Sequence, residues 1–238
     1  MTRVRISRAV LLAGLLSLAG CASYTPVPLY QLHSTGAGVP QEQQSAGLAI
    51  LLQPVSVADY LQREALLQRQ ADGSLMATTE ARWAGNLAAD IDQQVLRQLA
   101  WRLDTQRLVV APAPAGFEAP LQVALTISRL DSGPQLPAVL EAQWRLLSKD
   151  GHLLESRLIH LQEPHQGAAA DQVRAQSVLL QQLVEQLAAA IKPLAAQQLA
   201  KAPRKPAPAR RPAPAVKPPQ QSIPSVEPVR NNLDVFRF

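Results

Sequence analysis

From Leu121 to Gln162 the chain reads as three runs of alternating apolar and polar residues, and few folds accommodate such a pattern. In "LQVALTIS" the residues Leu121, Val123, Leu125 and Ile127 alternate with Gln122, Ala124, Thr126 and Ser128; in "VLEAQWRLL" Leu140, Ala142, Trp144 and Leu146 do the same. A period of two puts one set on each face of a strand, so one face of a sheet is buried and the other is wetter. Lys149-Asp150-Gly151 turns the chain, and "HLLESRLIHLQ" returns as the hairpin partner. The buried face then needs an apolar cover from elsewhere in the chain.

Two segments with helical period supply it. Leu87, Ile91, Val95, Leu99 and Leu103 recur every four residues after Glu80, with Ala88 and Leu96 beside them. Val173, Leu180, Leu187 and Leu194, with Ser177, Val184 and Ile191, keep a seven-residue spacing that suits packing against a sheet. Asp171 supports the start of that second helix, and Pro193 is expected to end or kink it. Earlier strands are expected in "LAILLQPVSV", interrupted by Pro54, in "RLVVAP", and around Asp72-Gly73, a hairpin signal. The expectation is an α+β fold: a mostly antiparallel sheet with two helices packed on one face.

The domain occupies residues 46–200, a normal size for one core. Residues 21–45, rich in Pro, Gly, Ser and Gln, read as a linker with one short strand. Residues 201–238 hold nine prolines and few large apolar side chains before their end, so they are expected to be a disordered, extended tail. Charge is divided along the same lines. Residues 22–200 carry 12 basic residues against 16 acidic ones, whereas residues 201–238 carry eight against two. A mildly acidic body offers no footprint for nucleic acid. The basic tail fits either contact with anionic cell-wall polymer (peptidoglycan), lipid headgroups or a partner protein, or a solvated tail without a specific partner. Its closing "LDVFRF", with Phe236 and Phe238, can add a strand to a partner's sheet edge or be incidental.

One cysteine, Cys21, stands in the whole chain. It can close no internal disulfide, and its surroundings give it another use. Arg3, Arg5 and Arg8 precede an apolar run from Ala9 to Leu18, the layout of a signal peptide and too short for a membrane span. Leu18-Ala19-Gly20-Cys21 resembles a bacterial lipobox. Residues 1–20 are then a lipoprotein signal peptide and Cys21 the lipidated first residue of the mature chain. Ala22, where Asp would be the retention signal, directs it by analogy to the outer membrane, facing the periplasm. Palmitate is among the chains such an anchor carries, and an end bearing several acyl chains holds stably.

No reaction centre emerges. His33, His152, His160 and His165 are scattered, and His160-x-x-Glu163-x-His165 lacks the one-face helical geometry of a zinc site. No nucleophile elbow or phosphate-cradling glycine loop is present. Asp90 and Asp92 lie on opposite sides of a helix and read as solvated charges. No cofactor or metal is expected beyond the covalent lipid on Cys21, and the chain is not expected to be an enzyme.

Gln53 to Leu103 adds a more specific signal. Val57-x-x-Tyr60-Leu61-x-Arg63 leads through the hairpin to Arg82-Trp83, which open the first helix; Tyr30-Gln31-Leu32 precedes them and Ala142-Gln143-Trp144 follows. In this order, behind a lipobox, the residues resemble the ABC-type transport auxiliary lipoprotein family, which includes the paraquat-inducible lipoprotein C. Gln62 departs from the pattern, standing where Asp or Asn is expected. The resemblance implies a non-enzymatic component of a lipid transport system that docks a periplasm-spanning mammalian-cell-entry (MCE) protein, helps maintain membrane integrity, and is compatible with a homo-oligomer. An aromatic and arginine cluster suits an interface, so Tyr60, Arg63, Arg82 and Trp83 are candidate docking residues. For Trp83 local packing where hairpin meets helix is the preferred alternative. An envelope tether or a pilotin-like assembly lipoprotein is the rival class.

Overall fold

The computed structural model describes residues 26–34, 38 and 48–201. These belong to the first of two units, Met1–Ala202; Cys21, the signal peptide and the basic tail with Phe236 and Phe238 lie outside the described residues. In chain order the elements are β1 (Leu29–Tyr30), β2 (Ile50–Leu52), β3 (Ser56–Val57), a 3-10 turn (Asp59–Gln62), β4 (Ala65–Arg69), β5 (Leu75–Trp83), α1 (Leu87–Leu103), β6 (Leu108–Val110), β7 (Leu121–Asp131), β8 (Ala138–Ser148), β9 (Leu153–Glu163) and α2 (Ala169–Lys201). The fold is α+β, built on two sheets.

The larger sheet runs β6-β2-β7-β8-β9, with β3 paired to β7. Its antiparallel part is the alternating region of the sequence: Leu125 lies opposite Trp144, and Ala142 opposite Ile159. Leu121, Val123, Leu125 and Ile127 of β7 and Leu140, Ala142, Trp144 and Leu146 of β8 are buried, while Thr126, Gln143 and Arg145 face out. Each such Leu or Ile contributes about 1.5–3 kcal/mol by leaving water. The short strands β2, β3 and β6 join in parallel, which the alternation did not foretell. Pro54 has no N–H to give a ladder, and the chain breaks there between β2 and β3, the ladder continuing from the Ala58 N–H to the Ile127 carbonyl at 3.0 Å.

The smaller sheet has the order β1-β5-β4. Its β4–β5 hairpin turns at Asp72-Gly73, with Gly73 at φ 85, a left-handed conformation that glycine adopts without penalty. Strand β5 continues through Arg82 and Trp83, so these residues close a strand and do not open a helix. The helix starts at Leu87, where the Asn86 side chain accepts the Ala89 N–H at 3.0 Å.

Both helices cover the buried sheet face. Helix α1 presents Leu87, Ile91, Val95 and Leu99, all buried, and α2 presents Leu179, Leu180, Leu183, Val184, Leu187 and Ile191. Pro193 does not end α2, which continues to Lys201. Among the described residues, no helix is long and apolar enough to cross a membrane.

Candidate functional site

The 3-10 turn after β3 brings Tyr60 over the end of β7. Its hydroxyl donates to Asp131 Oδ2 at 2.9 Å and accepts the Leu130 N–H at 3.3 Å. Arg69, the last residue of β4, donates from Nε to Oδ1 at 3.0 Å and from Nη2 to Oδ2 at 2.6 Å of the same carboxylate. Arg129 adds a third cationic donor at 3.0 Å. Burial pushes the Asp131 carboxyl up, but the hydrogen bonds from Arg69, Tyr60 and Arg129 outweigh it and hold the group below its ordinary value. For Tyr60, burial comes first and the neighbouring Asp131 charge second, and together they push the phenol up to about 12. A fixed anion holding two guanidinium groups and a phenol is a joint, and here it fastens the small sheet to the large one. The Arg69 N–H reinforces the joint by donating to the Ser132 carbonyl at 2.8 Å.

A second joint fixes β1. The Leu32 N–H donates to Asp90 Oδ2 at 2.8 Å, and Gln94 Nε2 donates to the Leu32 carbonyl at 2.6 Å. Asp92, on the other side of α1, accepts the Val55 N–H at 2.8 Å, and burial pushes its carboxyl up. Asp90 and Asp92 are therefore not merely solvated charges. Each holds a loop against the helix through a backbone N–H, a partner that spacing along the chain does not indicate. Between β1, the end of β5 and the start of α1 lies an open groove of about 390 Å³, whose lining includes Tyr30, Trp83, Asn86, Asp90, Gln93 and Arg97.

The four described docking candidates fall into two environments. Trp83 is 7 % exposed and packs into the core, and Tyr60 is half-buried and engaged with Asp131. These two also line one small cavity of about 10 Å³. Arg63 and Arg82 are exposed. Arg82 lies across from Leu29 on one side and Ala65 on the other, and Leu29 is 64 % exposed. An exposed leucine beside an exposed arginine, flanked by the groove, forms an amphipathic rim on the small sheet. Leu29, Asp131 and Trp101 were not anticipated. Leu29 precedes the Tyr30-Gln31-Leu32 stretch, and the role of Asp131 depends on partners as far as 71 residues away in sequence.

Comparison with known proteins agrees with this architecture. No curated protein matches the sequence. Among solved structures, an uncharacterized protein matches with a TM-score of 0.57 and 20% identity, covering 70% of this chain and 99% of its own. Protein XCC0632 from Xanthomonas campestris matches with a TM-score of 0.58 and 17% identity, covering 72% and 98%. At these identities the likeness concerns the fold alone. A PelC dodecamer from Paraburkholderia phytofirmans is more distant, with a TM-score of 0.39 and 11% identity over 72% of this chain and 95% of its own. The model of the ABC-type transport auxiliary lipoprotein component covers residues 30–188, from β1 to the middle of α2, and the chain belongs to that family.

Proposed function

We propose that the chain is an outer-membrane-anchored auxiliary lipoprotein that holds the far end of a lipid conduit formed by an MCE-type protein, and thereby helps maintain membrane integrity. Each CH₂ of a lipid tail exposed to water costs about 0.8 kcal/mol, so lipids crossing an aqueous gap need a shielded path whose ends stay in register with the membranes. Lipid on Cys21 supplies the fixed end, and the domain supplies the docking surface. Family membership supports the transport role. The observation that carries the docking reading is the rim where exposed Leu29 stands beside Arg82, with Arg63 at the end of the neighbouring 3-10 turn.

Affinity purification of the lipidated protein from solubilised envelopes tests this reading. Recovery of an MCE-domain protein is expected, with recovery reduced at least tenfold by Leu29→Asp combined with Arg82→Glu. Recovery of an outer-membrane pore subunit in its place would support the pilotin-like class and overturn the conduit reading. Retention of the envelope location after deletion of residues 203–238 separates a lipid anchor from a tail that tethers through peptidoglycan. Cys21→Ser is expected to release a folded domain to the soluble periplasm, and labelled palmitate entering that variant would contradict the anchor.

A further inference from the structure

The indole of Trp101 is 45 % exposed, whereas Trp83 and Trp144 are 7 % and 0 % exposed. Trp101 lies one helical turn after Arg97 on the outward line of α1, where it borders a groove of about 380 Å³ between α1 and α2. Ala188 and Ala189 line the groove, with Arg102, Glu185 and Lys192 beside them. The Arg102 guanidinium stands 5.7 Å from the Trp101 ring centroid. Its Nη1 reaches Glu185 only at 3.8 Å, and among the described residues its buried Nε has no acceptor. A Cβ on Gly38 would sit 3.6 Å from Nε1, an ordinary van der Waals distance.

A half-exposed tryptophan flanked by cations has the chemistry of a residue at the boundary between headgroups and acyl chains. Tryptophan favours that boundary because one end of the ring is apolar and the other polar. Arginine and lysine are attracted to anionic headgroups, and phosphate oxygens are the acceptors that a guanidinium fork matches. The surrounding body carries more acid than base, so Arg102 and Lys192 against the single Glu185 in this groove are a departure from their context. We propose that this α1–α2 face rests on a bilayer surface containing anionic phospholipid, with Trp101 seated at the headgroup boundary and Arg102 and Lys192 on phosphates. The inference rests on the membrane anchoring proposed above and adds which side of the domain faces the lipid.

The test uses the full-length lipidated protein reconstituted into vesicles of phosphatidylcholine, with or without phosphatidylglycerol, carrying bromine on acyl carbons near the headgroup. Flotation reports the anchor; tryptophan quenching reports the face. The expected result is flotation in both vesicle types, with a blue shift and quenching of the exposed-indole emission only where phosphatidylglycerol is present. High salt should reverse the quenching, because screening weakens contacts with headgroup charge. Trp101→Leu should abolish the quenched component, and Arg102→Gln with Lys192→Gln should diminish it without affecting flotation. Flotation without quenching would overturn the inference and leave the anchor intact, as would equal quenching without anionic lipid. Failure to float in any vesicle would overturn the anchor and this inference together.

Discussion

The carboxylate of Asp131 receives two hydrogen bonds from the guanidinium of Arg69, at 3.0 Å and 2.6 Å, and so ties the last residue of β4 to the last residue of β7. The Asp131 side chain is 1% exposed, Arg69 22% and Arg129 27%, so the pair is buried on one side and screened on the other. Asp131→Asn removes the charge while keeping the shape; it leaves Arg69 without its counter-ion and Arg129 with Glu141 alone, at 3.7 Å. The expected loss is about 2–3 kcal/mol, below that of a fully buried pair because water reaches the arginines. Urea unfolding measures it. An unchanged midpoint would show that the Asp131 charge adds nothing to the joint between the two sheets.

Acid titration separates the carboxylates by sign. Asp131 has a depressed folded pKa, so the unfolded chain binds more protons in the acid range; its contribution is complete above the unfolded value and is lost as pH falls through the folded value. Asp92 is raised, mainly by burial, so its ionisation costs stability as pH climbs from the unfolded value through the folded one. Between about pH 3 and 5, stability should rise less steeply in Asp131→Asn and more steeply in Asp92→Asn than in the parent. At the alkaline end the Tyr60 phenolate should form near 12, a step absent from Tyr60→Phe. Denaturant midpoints and ultraviolet titration read these outcomes.

Asp90 and Gln94 hold Leu32 by its N–H and its carbonyl, so Asp90→Ala with Gln94→Ala should free β1 while the sheet core stays intact. Two lost hydrogen bonds of about 1–1.5 kcal/mol each correspond to roughly a 30-fold to 150-fold faster exchange of the Leu32 amide. Exchange in Leu125 and Leu140 should be unaffected. Equal acceleration everywhere would mean that β1 unfolds only with the whole domain.

Gly133 and Gly151 predict different penalties for the same change. A Cβ on Gly133 would overlap the Arg69 carbonyl, the backbone that meets β7 at the sheet joint. Gly151 has open space but φ 82, so alanine there meets only the left-handed penalty of about 1–2 kcal/mol. Gly133→Ala should cost more than Gly151→Ala, about 2 kcal/mol or above, because backbone must move. Thermal unfolding of the two variants decides the order.

Much of the framework could be read before any coordinates. The alternation from Leu121 to Gln162, the Asp72-Gly73 hairpin, the helix over Leu87 to Leu103 and the interruption at Pro54 all follow from local periodicity and backbone chemistry, which act over a few residues. Errors arose where a local rule met a long-range contact. Arg82-Trp83 continue a strand because Leu29 and Tyr30 pair with them, and Asp90 and Asp92 hold loops through backbone N–H groups that arrive from distant segments.

The candidate site divides in the same way. Family membership was legible in the order of Tyr60, Arg63, Arg82 and Trp83, but their spacing could not say that Trp83 faces the core while Arg82 faces out with Leu29. Local sequence determined which segments become strands, helices and turns, since hydrophobic period and turn residues are properties of neighbouring positions. Tertiary structure alone decided that Asp131 joins two sheets, that Asp90 and Asp92 hold loops, and that Trp101 stays exposed. Burial and charge pairing depend on which distant segments arrive at a residue, and no window of sequence contains them.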